Sequence, residues 1–527
     1  MDAHQESIGS WTATCLRFTF LGDRRRAALA CDGGMNIPET DTDVLIIGAG
    51  PVGLFLANEC ARHGLRWRLI EAGSTQSEHS KALAIFPRTL EIFDMAGIAA
   101  PFLEAANRVT WVAVVAHNRQ LARIRFTPKE TPYPFVAMVP QDVTEELLVA
   151  ELRRKGGGVE YDTTFVSAVQ HDGQVRAILD QKGKQIELTA AFVVGCDGAH
   201  SAVRHLLNLS FEGAQYDALF MLADVETNEA LPAHELQLCP SEFGPLAIFP
   251  MSATRRRIVA TIEQPEGDVP SLEVVRRTLA QRAPSGIEAV SLRWSSYFRI
   301  YHRHVGRLRV GRMFVAGDAA HIHSPFGGQG MNTGLQDVWN LVWKLDLAVH
   351  GRGNEQLLDS YTAERRPVIK SVIETTHRLT RVMGTPSKIA QTLRDTIIPM
   401  VSRLAAFQHR FVQNLSELGI AYGGSPIVAG AGKRYFDESL RGGKGIGCRF
   451  LLLLGDQASS RTKEATKRFC ESLDRLVELR AVRHPGITLV RPDGYIAYAG
   501  EHRDAGRVLE SMEALLKRQT NQDGRKG

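Results

Sequence analysis

The chain has 527 residues, a length that predicts roughly three domains. Its 63 Lys and Arg residues against 58 Asp and Glu residues give a net charge of +5, with 44% hydrophobic residues. These values are typical of a globular protein and exclude disordered, fibrous and coiled-coil chains. The near-balanced charge argues against a dedicated nucleic-acid binder. Two arginine triplets, 24–26 and 255–257, are interpreted as solvated charge.

The sequence favours a cytoplasmic protein. No apolar stretch reaches the ~18 uninterrupted residues that a membrane span needs, and the N-terminus lacks the basic start of a secretion signal. Seven scattered cysteines, none at C-x-x-C spacing, predict a reduced protein without a zinc site. Residues 1–40 show no periodicity and are expected to form a poorly ordered extension.

A dinucleotide-binding pattern begins at the first regular segment. The apolar run 44–47 predicts a strand buried on both faces. It leads into 48–53, which reads G-x-G-x-x-G, and 54–63 predicts a helix. Residues 67–70 predict a second strand that ends at Glu71. A strand, glycine-rich turn, helix and acidic residue within about 30 residues are typical of a βαβ unit that binds a dinucleotide.

Each residue of this pattern has a physical role. Gly48 makes the tight turn, Gly50 lets a pyrophosphate approach the helix N-terminus, and Gly53 allows close packing of helix and strand. Glu71 can accept both ribose hydroxyls of an adenosine. Because its charge would repel a 2′-phosphate, the resident nucleotide is predicted to be FAD or NAD rather than NADP.

Two further strands end in acidic turns. The strand predicted at 191–194 runs into Gly195-Cys-Asp197-Gly, and the strand at 313–316 runs into Gly317-Asp318. A carboxylate at such a strand end can bind a polyol such as the ribityl chain of a flavin. The glycine-rich loop 325–332 leads into a helix predicted over 334–350, whose first N–H groups can stabilise negative charge on a reduced flavin.

The rest of the chain divides into three parts. Residues 213–300 alternate between apolar and polar stretches and predict an antiparallel sheet. Helical segments follow to about Leu418, and glycines between 423 and 447 indicate a linker. A last α/β module is predicted from a strand at 449–454, a hairpin around Pro492-Asp493-Gly494 and a closing helix over 505–518.

In this order and spacing, the three motifs resemble those of the class A flavoprotein monooxygenases, the FAD-dependent aromatic hydroxylases. The resemblance covers roughly 43–367 and includes Arg88-Thr89-Leu90-Glu91 and the Y-x-x-E-R-R-P of 361–367. Residues 321–332 are most similar to the phenol and pentachlorophenol hydroxylase branch. The tail from about 430 resembles the thioredoxin-like domain of that branch without a redox C-x-x-C, so its expected role is structural or in an oligomer contact.

The resemblance implies the fold class α/β. A Rossmann-like (GR2-type) FAD-binding domain carries an inserted antiparallel β-sheet substrate domain, a helical segment and a C-terminal thioredoxin-like domain. The expected boundaries are 1–40 for the extension, 41–212 and 301–370 for the two parts of the FAD-binding domain, 213–300 for the substrate domain, 371–425 for the helical segment and 426–527 for the thioredoxin-like domain.

The family's functional residues are carried over by position. Lys81 stands where the family usually has Arg, and it keeps the charge but loses the planar fork. The residues expected to bind FAD are Gly48, Gly50, Pro51, Gly53, Glu71, Ala72, Lys81, Gln141, Asp197, Arg204, Asp318, Pro325, Gly327, Gly330, Met331 and Asn332. Tyr216, Trp294 and Tyr297 are expected to face the substrate. No metal site is expected, and no catalytic base is assigned, because 83–86 is apolar where phenol-hydroxylase relatives carry an Asp.

The implied reaction is hydroxylation of a phenolic or polycyclic, polyketide-like aromatic substrate. NADPH or NADH reduces FAD, and O2 then reacts through a flavin C4a-hydroperoxide. Only one dinucleotide fingerprint is present, so NAD(P)H is expected to bind transiently. The alternatives are an epoxidase, a reductase or a halogenase of the same fold, or an FAD-binding protein that is not an oxygenase. The halogenase motif W-x-W-x-I-P is absent. The expected partner is the small-molecule substrate, with a homodimer as a further expectation.

Overall fold

The computed structural model describes residues 38–520 except 77–79, 229–230, 325–326, 384–387, 444–446, 448, 474–475 and 484–485. Most of the predicted extension over 1–40 therefore lies outside the described residues. Thr40 is buried, and its carbonyl accepts a hydrogen bond from Arg66.

The described residues form both strands and helices. The strands are β1 (Thr42–Ile47), β2 (Trp67–Ile70), β3 (Ala84–Ile85), β4 (Asn107–Val109), β5 (Trp111–Ala116), β6 (Arg119–Arg125), β7 (Val136–Met138), β8 (Thr163–His171), β9 (Gln174–Gln181), β10 (Lys184–Gly195), β11 (Phe211–Thr227), β12 (Glu235–Cys239), β13 (Leu246–Pro250), β14 (Arg255–Ile262), β15 (Ala289–Val305), β16 (Arg309–Val310), β17 (Met313–Val315), β18 (His321–Ile322), β19 (Phe450–Gly455), β20 (Val477–Val482), β21 (Ile487–Val490) and β22 (Ile496–Gly500). The helices are α1 (Pro51–His63), α2 (Pro87–Met95), α3 (Ala99–Ala105), α4 (Gln141–Arg154), α5 (Ala202–Leu206), α6 (Leu272–Arg282), α7 (Gly330–Val349), α8 (Glu355–Met383), α9 (Lys388–Val401), α10 (Ala405–Ser416), α11 (Ser460–Ser472) and α12 (Ala505–Gln519).

A seven-stranded sheet carries all three predicted motifs. Its order is β16-β17-β10-β1-β2, and β17, β10, β1 and β2 are parallel. The hairpin β8-β9 pairs antiparallel with the first half of β10. Every residue of β1 is buried, as expected of a parallel strand covered on both faces. The carboxyl ends of β1, β10 and β17 meet at one edge of the sheet, which brings the three motifs together.

An eight-stranded sheet lies beside it, in the order β18-β15-β11-β14-β13-β12-β5-β6. It extends beyond the expected limits of 213–300, because β5 and β6 come from before that range and β18 from after it. It is also not purely antiparallel, since β12 pairs parallel with β5. One face packs against α6, and the other carries an apolar cluster that includes residues of α8, α9 and α10.

The last module contains a four-stranded sheet in the order β20-β19-β21-β22. Its strands β19 and β20 are parallel, whereas β21 is antiparallel to both β19 and β22. The core of this module is shared with the rest of the chain. Trp343 and Leu347 of α7 and Leu357 of α8 pack in one cluster with Phe450 and Leu452 of β19.

The interpretation of the triplet 255–257 as solvated charge is wrong. The side chains of Arg256 and Arg257 are buried, with exposed fractions of 1% and 2%. Arg256 donates to backbone carbonyls of neighbouring loops, including those of Leu231 and Ala253. A short arginine run looks solvated in a sequence because its buried partners lie elsewhere in the chain. None of the helices in the described ranges is both long and apolar enough to cross a membrane.

Candidate active site

The glycine-rich turn leaves one position open. A Cβ atom on Gly48 would lie 2.5 Å from the carbonyl oxygen of Cys196, and one on Gly53 would lie 1.9 Å from that of Gly48. Gly48 also has a positive φ of 99°. A Cβ atom on Gly50 would meet nothing within 4 Å. Positions 48 and 53 are therefore fixed by packing, whereas Gly50 faces open space at the N-terminus of α1, which suits an anion.

Glu71 lies at the edge of this turn. Its Oε2 accepts from the N–H of Ala49 at 2.8 Å, and its Oε1 accepts from that of Gly73 at 2.9 Å. Sequence reasoning missed the nearby Glu145, which is buried and accepts from Nε2 of Gln141 at 2.9 Å. Burial raises the pKa of Glu145 to about 7, although hydrogen bonds to Gln141 and Gln76 oppose this. Two carboxyl groups, those of Glu71 and Glu145, thus lie beside the glycine-rich turn.

The Asp-Gly motif lies against the glycine-rich turn and carries an unsatisfied acceptor. Oδ2 of Asp197 accepts from the N–H of Val203 at 3.2 Å, but Oδ1 is buried without a hydrogen-bond partner among the residues that the structure describes. Arg204 is buried, donates to the carbonyls of Ala319 (3.1 Å) and Ala199 (2.8 Å), and so ties this motif to the Gly-Asp motif. Burial lowers the pKa of Arg204 from its usual value.

A buried network holds the Gly-Asp motif in place. Oδ2 of Asp337 accepts from the N–H of Gly317 at 3.1 Å and lies 2.7 Å from Nε2 of His321. Nε of Arg365 donates to Oδ1 of Asp337 at 2.7 Å. Burial alone would raise the pKa of Asp337, but the combined effects of Arg365 and His321 are larger, so the pKa of Asp337 is lowered.

Asp318 directly follows Gly317, next to this network. The residue is exposed to solvent, while the protein around its carboxyl group raises its pKa by desolvation. The positive charges of His321 and Lys81 act in the opposite direction on that pKa. Lys81 is itself exposed.

The loop before α7 is closely packed. A Cβ atom on Gly327 would lie 2.6 Å from Cγ2 of Thr376, Gly330 begins α7, and Met331 is buried in the core. Pro325 lies outside the described residues. Asn332 is fully buried: its Oδ1 accepts from the N–H of Phe86 at 2.9 Å, and its Nδ2 donates to the carbonyl of Ala84 at 2.8 Å.

Asn332 thereby holds residues 80–86, which we call the wall segment. The other end of the wall segment is held by Gln141, whose Oε1 accepts from the N–H of Ala82 at 3.1 Å. Arg257 donates to the carbonyls of Lys81 (3.0 Å) and Ala82 (2.9 Å). It also forms a buried ion pair with Asp224, with N···O distances of 2.7 and 2.9 Å. Sequence reasoning missed Arg257, although the alternation of 255–262 places it on the same face as the apolar Val259.

One face of the eight-stranded sheet carries an apolar cluster that is rich in aromatic side chains. Phe86 of the wall segment belongs to the same apolar cluster as Phe220 and Leu222 of β11, with Trp294 and Phe298 of β15 packed against it. Cζ of Phe86 would lie 3.5 Å from a Cβ atom on Gly328, so this face adjoins the loop before α7.

Of the three expected substrate residues, Tyr297 lies away from this face. Tyr297 is on the opposite face of β15, where it packs against the cluster under α6, and its hydroxyl accepts from the N–H of Glu266 at 3.1 Å. The physical reason is the two-residue period of a strand, which separates Tyr297 from Trp294 and Phe298. Tyr216 lies in β11, and its side chain is outside the described residues.

Of the two histidines beside the loop, His323 has its Nε2 buried without a hydrogen-bond partner among the described residues. Nε2 of His321 is hydrogen-bonded to Asp337, and Nδ1 of His323 lies 3.1 Å from the carbonyl oxygen of Ser324. Burial lowers the pKa of His323 to about 4, so its imidazole is neutral at pH 7. Within the described part of the chain, no three His, Cys, Asp or Glu side chains are placed to hold a metal ion.

These features fit a flavin dinucleotide. The open position at Gly50, the unpartnered oxygen of Asp197 and the accessible carboxylate of Asp318 lie along one edge of a parallel sheet. An apolar face adjoins that edge. The fold and the site therefore define a dinucleotide-dependent oxidoreductase.

Comparison with known proteins identifies the family. Residues 41–376 match the family described as "FAD binding domain". The chain is 32% identical over 533 residues to 6-methylpretetramide 4-monooxygenase of Streptomyces rimosus, covering 91% of this chain and 94% of that protein. It is 30% identical over 351 residues to pentachlorophenol 4-monooxygenase of Sphingobium chlorophenolicum, covering 65% of each. The crystal structure of the anhydrotetracycline hydroxylase OxyS from Streptomyces rimosus superimposes with a TM-score of 0.72 at 28% identity, covering 89% of this chain and 98% of that one.

The chain belongs to the FAD binding domain family and is an FAD-dependent aromatic monooxygenase that uses NAD(P)H and O2. The resemblance inferred from the motifs is thereby confirmed.

Proposed function

We propose that this chain hydroxylates an uncharged, electron-rich polycyclic aromatic compound bound between the wall segment and the eight-stranded sheet. The observation that carries this proposal is the position of Phe86. This residue belongs to the apolar cluster on the sheet and also adjoins the loop before α7. On this face the buried Arg257 is paired with Asp224, which the partly exposed Arg255 also reaches at 3.4 Å, so Arg257 offers no free charge to an acidic substrate. Relatives named for tetracycline precursors support a polycyclic substrate.

The residues proposed to hold FAD follow from the site. Gly48, Gly50 and Gly53 with Pro51 would receive the pyrophosphate at α1, and Glu71 beside Ala72 would bind the ribose. Lys81, Gln141 and Asp318 border the space for the ribityl chain, and Asp197 offers its unpartnered oxygen. Gly327, Gly330 and Met331 would form the edge at the ring. For Arg204 and Asn332, the observed contacts favour holding the backbone around the cofactor.

FAD, when bound, supplies the hydride and oxygen chemistry of the reaction. The chain's own residues orient and enclose it. The N–H groups at the start of α7 stabilise negative charge beside the loop 327–330. The buried apolar residues of the wall segment would exclude water from the bound substrate. Exclusion of water favours transfer of oxygen to the substrate over its loss as H2O2. Because His321 is bonded to Asp337 and the lowered pKa of His323, about 4, makes its neutral imidazole a weak proton acceptor, the substrate is proposed to react without a dedicated protein base.

We also propose finer features of the fold. The parallel β17-β10-β1-β2 core supports a Rossmann-like FAD-binding domain. In the last module, the order β20-β19-β21-β22, with α11 between the two parallel strands and α12 after the hairpin, supports a thioredoxin-like domain. Cys470, which lies in the part of this module that the structure describes, is buried, and this burial favours a structural role for the module. A homodimer and a cytoplasmic location stay predictions.

The test is NADPH and NADH oxidation by the purified, FAD-loaded protein with neutral polycyclic phenols and, separately, with aromatic carboxylates. Faster oxidation and a product heavier by one oxygen atom are expected only with the neutral compounds. Trp294→Ala is expected to raise KM for the substrate by about tenfold, whereas Tyr297→Ala on the opposite face is the matched control and leaves it within about twofold. Hydroxylation of the carboxylates alone would overturn the proposed substrate class.

A further inference from the structure

The helix that follows the wall segment is buried along its whole length. All nine residues of α2 are buried, and α2 begins at Pro87, directly after Phe86. Three of the nine are charged, at a spacing of three residues: Arg88, Glu91 and Asp94. Buried charges are costly unless they are paired. The partners of these three side chains therefore decide where α2, and with it the wall segment, can lie.

All three find partners beyond residue 430. Nη2 of Arg88 donates to the carbonyl of Asp493 at 3.1 Å, and its guanidinium lies 4.8 Å from the ring centre of Tyr495. Oε1 of Glu91 accepts from Nη1 of Arg434 at 3.0 Å, in addition to the bond from Arg88 to its Oε2.

Asp94 completes the pattern. Its Oδ2 accepts from Nε of Arg441 at 2.8 Å, and its Oδ1 accepts from the N–H of Gly442 at 2.8 Å. Burial alone would raise the pKa of Asp94, but the hydrogen bonds from Tyr133 and Arg441 together have a larger effect, so the pKa of Asp94 is lowered. The C-terminal part of the chain thus supplies a partner to each of the three charged side chains of this helix.

The turn that receives Arg88 is itself fixed to α7. The carbonyl of Asp493 also accepts from Nε1 of Trp339 at 3.0 Å, and its Oδ2 accepts from Nδ2 of Asn340 at 3.2 Å. Arg491 pairs with Glu364 of α8 at 2.9 Å. The turn 491–494 therefore lies between α2 and α7. It bridges the two helices that hold the wall segment, because Asn332 of α7 binds Ala84 and Phe86.

We propose that Arg88 is a positioning residue through which the C-terminal module sets the wall segment against α7, and that this setting controls how fully NAD(P)H oxidation is coupled to hydroxylation. The proposal rests on the proposed function, since it needs the substrate to bind at the wall segment. It gives the C-terminal module a part in the reaction that its lack of a redox cysteine pair does not suggest.

Coupling is measurable because the two outcomes have different products. Hydroxylation of an aromatic compound Ar–H consumes NAD(P)H, H⁺ and O2 and yields NAD(P)⁺, Ar–OH and H2O. The uncoupled reaction consumes the same NAD(P)H, H⁺ and O2 and yields NAD(P)⁺ and H2O2. A misplaced wall segment misorients the substrate ring, and an error of about 1 Å is enough to slow a positioned reaction strongly.

The first variant is Arg88→Lys, which keeps the charge but loses the fork that reaches both Glu91 and Asp493. The matched control is Arg309→Lys, since Arg309 is also buried and pairs with Asp359 at 2.6 Å and with Glu355, away from α2. With full-length, FAD-loaded proteins, Arg88→Lys is expected to lower product per NAD(P)H by about threefold or more, with a matching rise in H2O2. FAD content and the rate of NAD(P)H oxidation stay within about twofold of the wild type.

A second variant protects the test if Arg88→Lys does not fold. Arg441 is partly exposed, so Arg441→Gln removes the charged partner of Asp94 without changing the core. This variant is also expected to lower product per NAD(P)H and to raise H2O2. Equal coupling in both variants, the control and the wild type would overturn the proposal. If the wild type itself oxidises NAD(P)H without hydroxylating any compound, the proposed function fails instead.

Discussion

Gly50 differs from the other two glycines of its motif because its own backbone does not require glycine. Its φ is −70°, and a Cβ atom would enter open space. Gly50→Ala is therefore expected to leave the melting temperature of the FAD-free protein within about 2 °C of the wild type. It is expected to weaken FAD binding by about tenfold or more, because the methyl group occupies the approach of the pyrophosphate. Titration of the FAD-free protein with FAD, followed by flavin fluorescence, measures this change.

Gly158→Ala is the matched control, because a Cβ atom at Gly158 also meets nothing within 4 Å. Its FAD affinity is expected to equal that of the wild type. Unchanged FAD binding in Gly50→Ala would show that the pyrophosphate does not approach the turn at this position.

Glu417 is a strained and buried acid at the end of α10. It adopts the left-handed backbone conformation with a φ of 60°, which costs free energy for a residue other than glycine. Oε2 accepts from Nε2 of Gln336, whereas Oε1 is buried without a partner among the described residues. Burial raises the pKa of Glu417 to about 8, although Arg365 and the bond to Gln336 oppose this.

This shift predicts a loss of stability with rising pH. Below the ordinary pKa of 4.5, Glu417 is protonated in both the folded and the unfolded chain, and its contribution to stability is fully present. As the pH rises toward 8, the unfolded chain releases the proton first, so that contribution is lost. Glu417→Gln, which cannot ionise, is expected to gain about 1 kcal/mol or more relative to the wild type between pH 5 and pH 8.

Urea unfolding at pH 5, 6, 7 and 8 measures this difference. Glu374→Gln on the exposed side of α8 is the control, and its difference from the wild type is expected to stay constant with pH. A constant difference for Glu417→Gln as well would mean that Glu417 is ionised in the folded protein throughout this range.

At the scale of elements, Arg257 and Asp224 join β14 and β11 to the wall segment. Removing one partner of a buried ion pair leaves the other charge uncompensated, so Arg257→Met is expected to lower the free energy of unfolding by about 3 kcal/mol. Arg257→Met combined with Asp224→Leu is expected to recover part of that loss, because neither charge remains. Chemical denaturation of the three proteins measures the free energies.

Arg255 also reaches Asp224, at 3.4 Å, but its side chain is 32% exposed, so Arg255→Met makes the same chemical change at a solvated partner of the same carboxylate. It is expected to cost less than about 1 kcal/mol. A double variant less stable than Arg257→Met would contradict the ion-pair interpretation and assign the effect to packing.

The same elements show what a sequence can and cannot predict. The sequence predicts the strand at 67–70 with its observed bounds, because an apolar run between a helix stop and an acidic residue is a local pattern. The helix expected over 334–350 begins at Gly330, since Asn332 and Thr333 bond to neighbouring backbone. The interpretation of Arg257 as solvated charge is wrong, and Tyr297 lies on the opposite face of β15 from Trp294. The positions of both residues depend on the register of distant strands, which a single sequence does not display.

At the scale of the whole molecule, the C-terminal module is not an independent body. Trp343 of α7 packs against Phe450 of β19 with ring centres 5.7 Å apart. Lys344 and Glu364, which pair at 2.9 Å, are fully buried next to Arg491. From the sequence, the glycine-rich stretch between 423 and 447 indicates a linker. In the structure, the module beyond this stretch shares a core with α7 and α8, and Gly424 and Gly432 adopt left-handed backbone conformations.

This shared core predicts cooperative unfolding of the full-length protein. If α2, α7 and the last module are stable only together, calorimetry is expected to show one transition, with equal calorimetric and van't Hoff enthalpies. FAD, which binds only the folded state, is expected to raise the midpoint temperature of that single transition as the FAD concentration increases. The fluorescence of Trp343 and its neighbours and the far-UV circular dichroism signal are expected to change at the same temperature. Two separate transitions, of which FAD shifts only one, would show instead that the C-terminal module unfolds independently and that its contacts to α2 contribute little to holding the site.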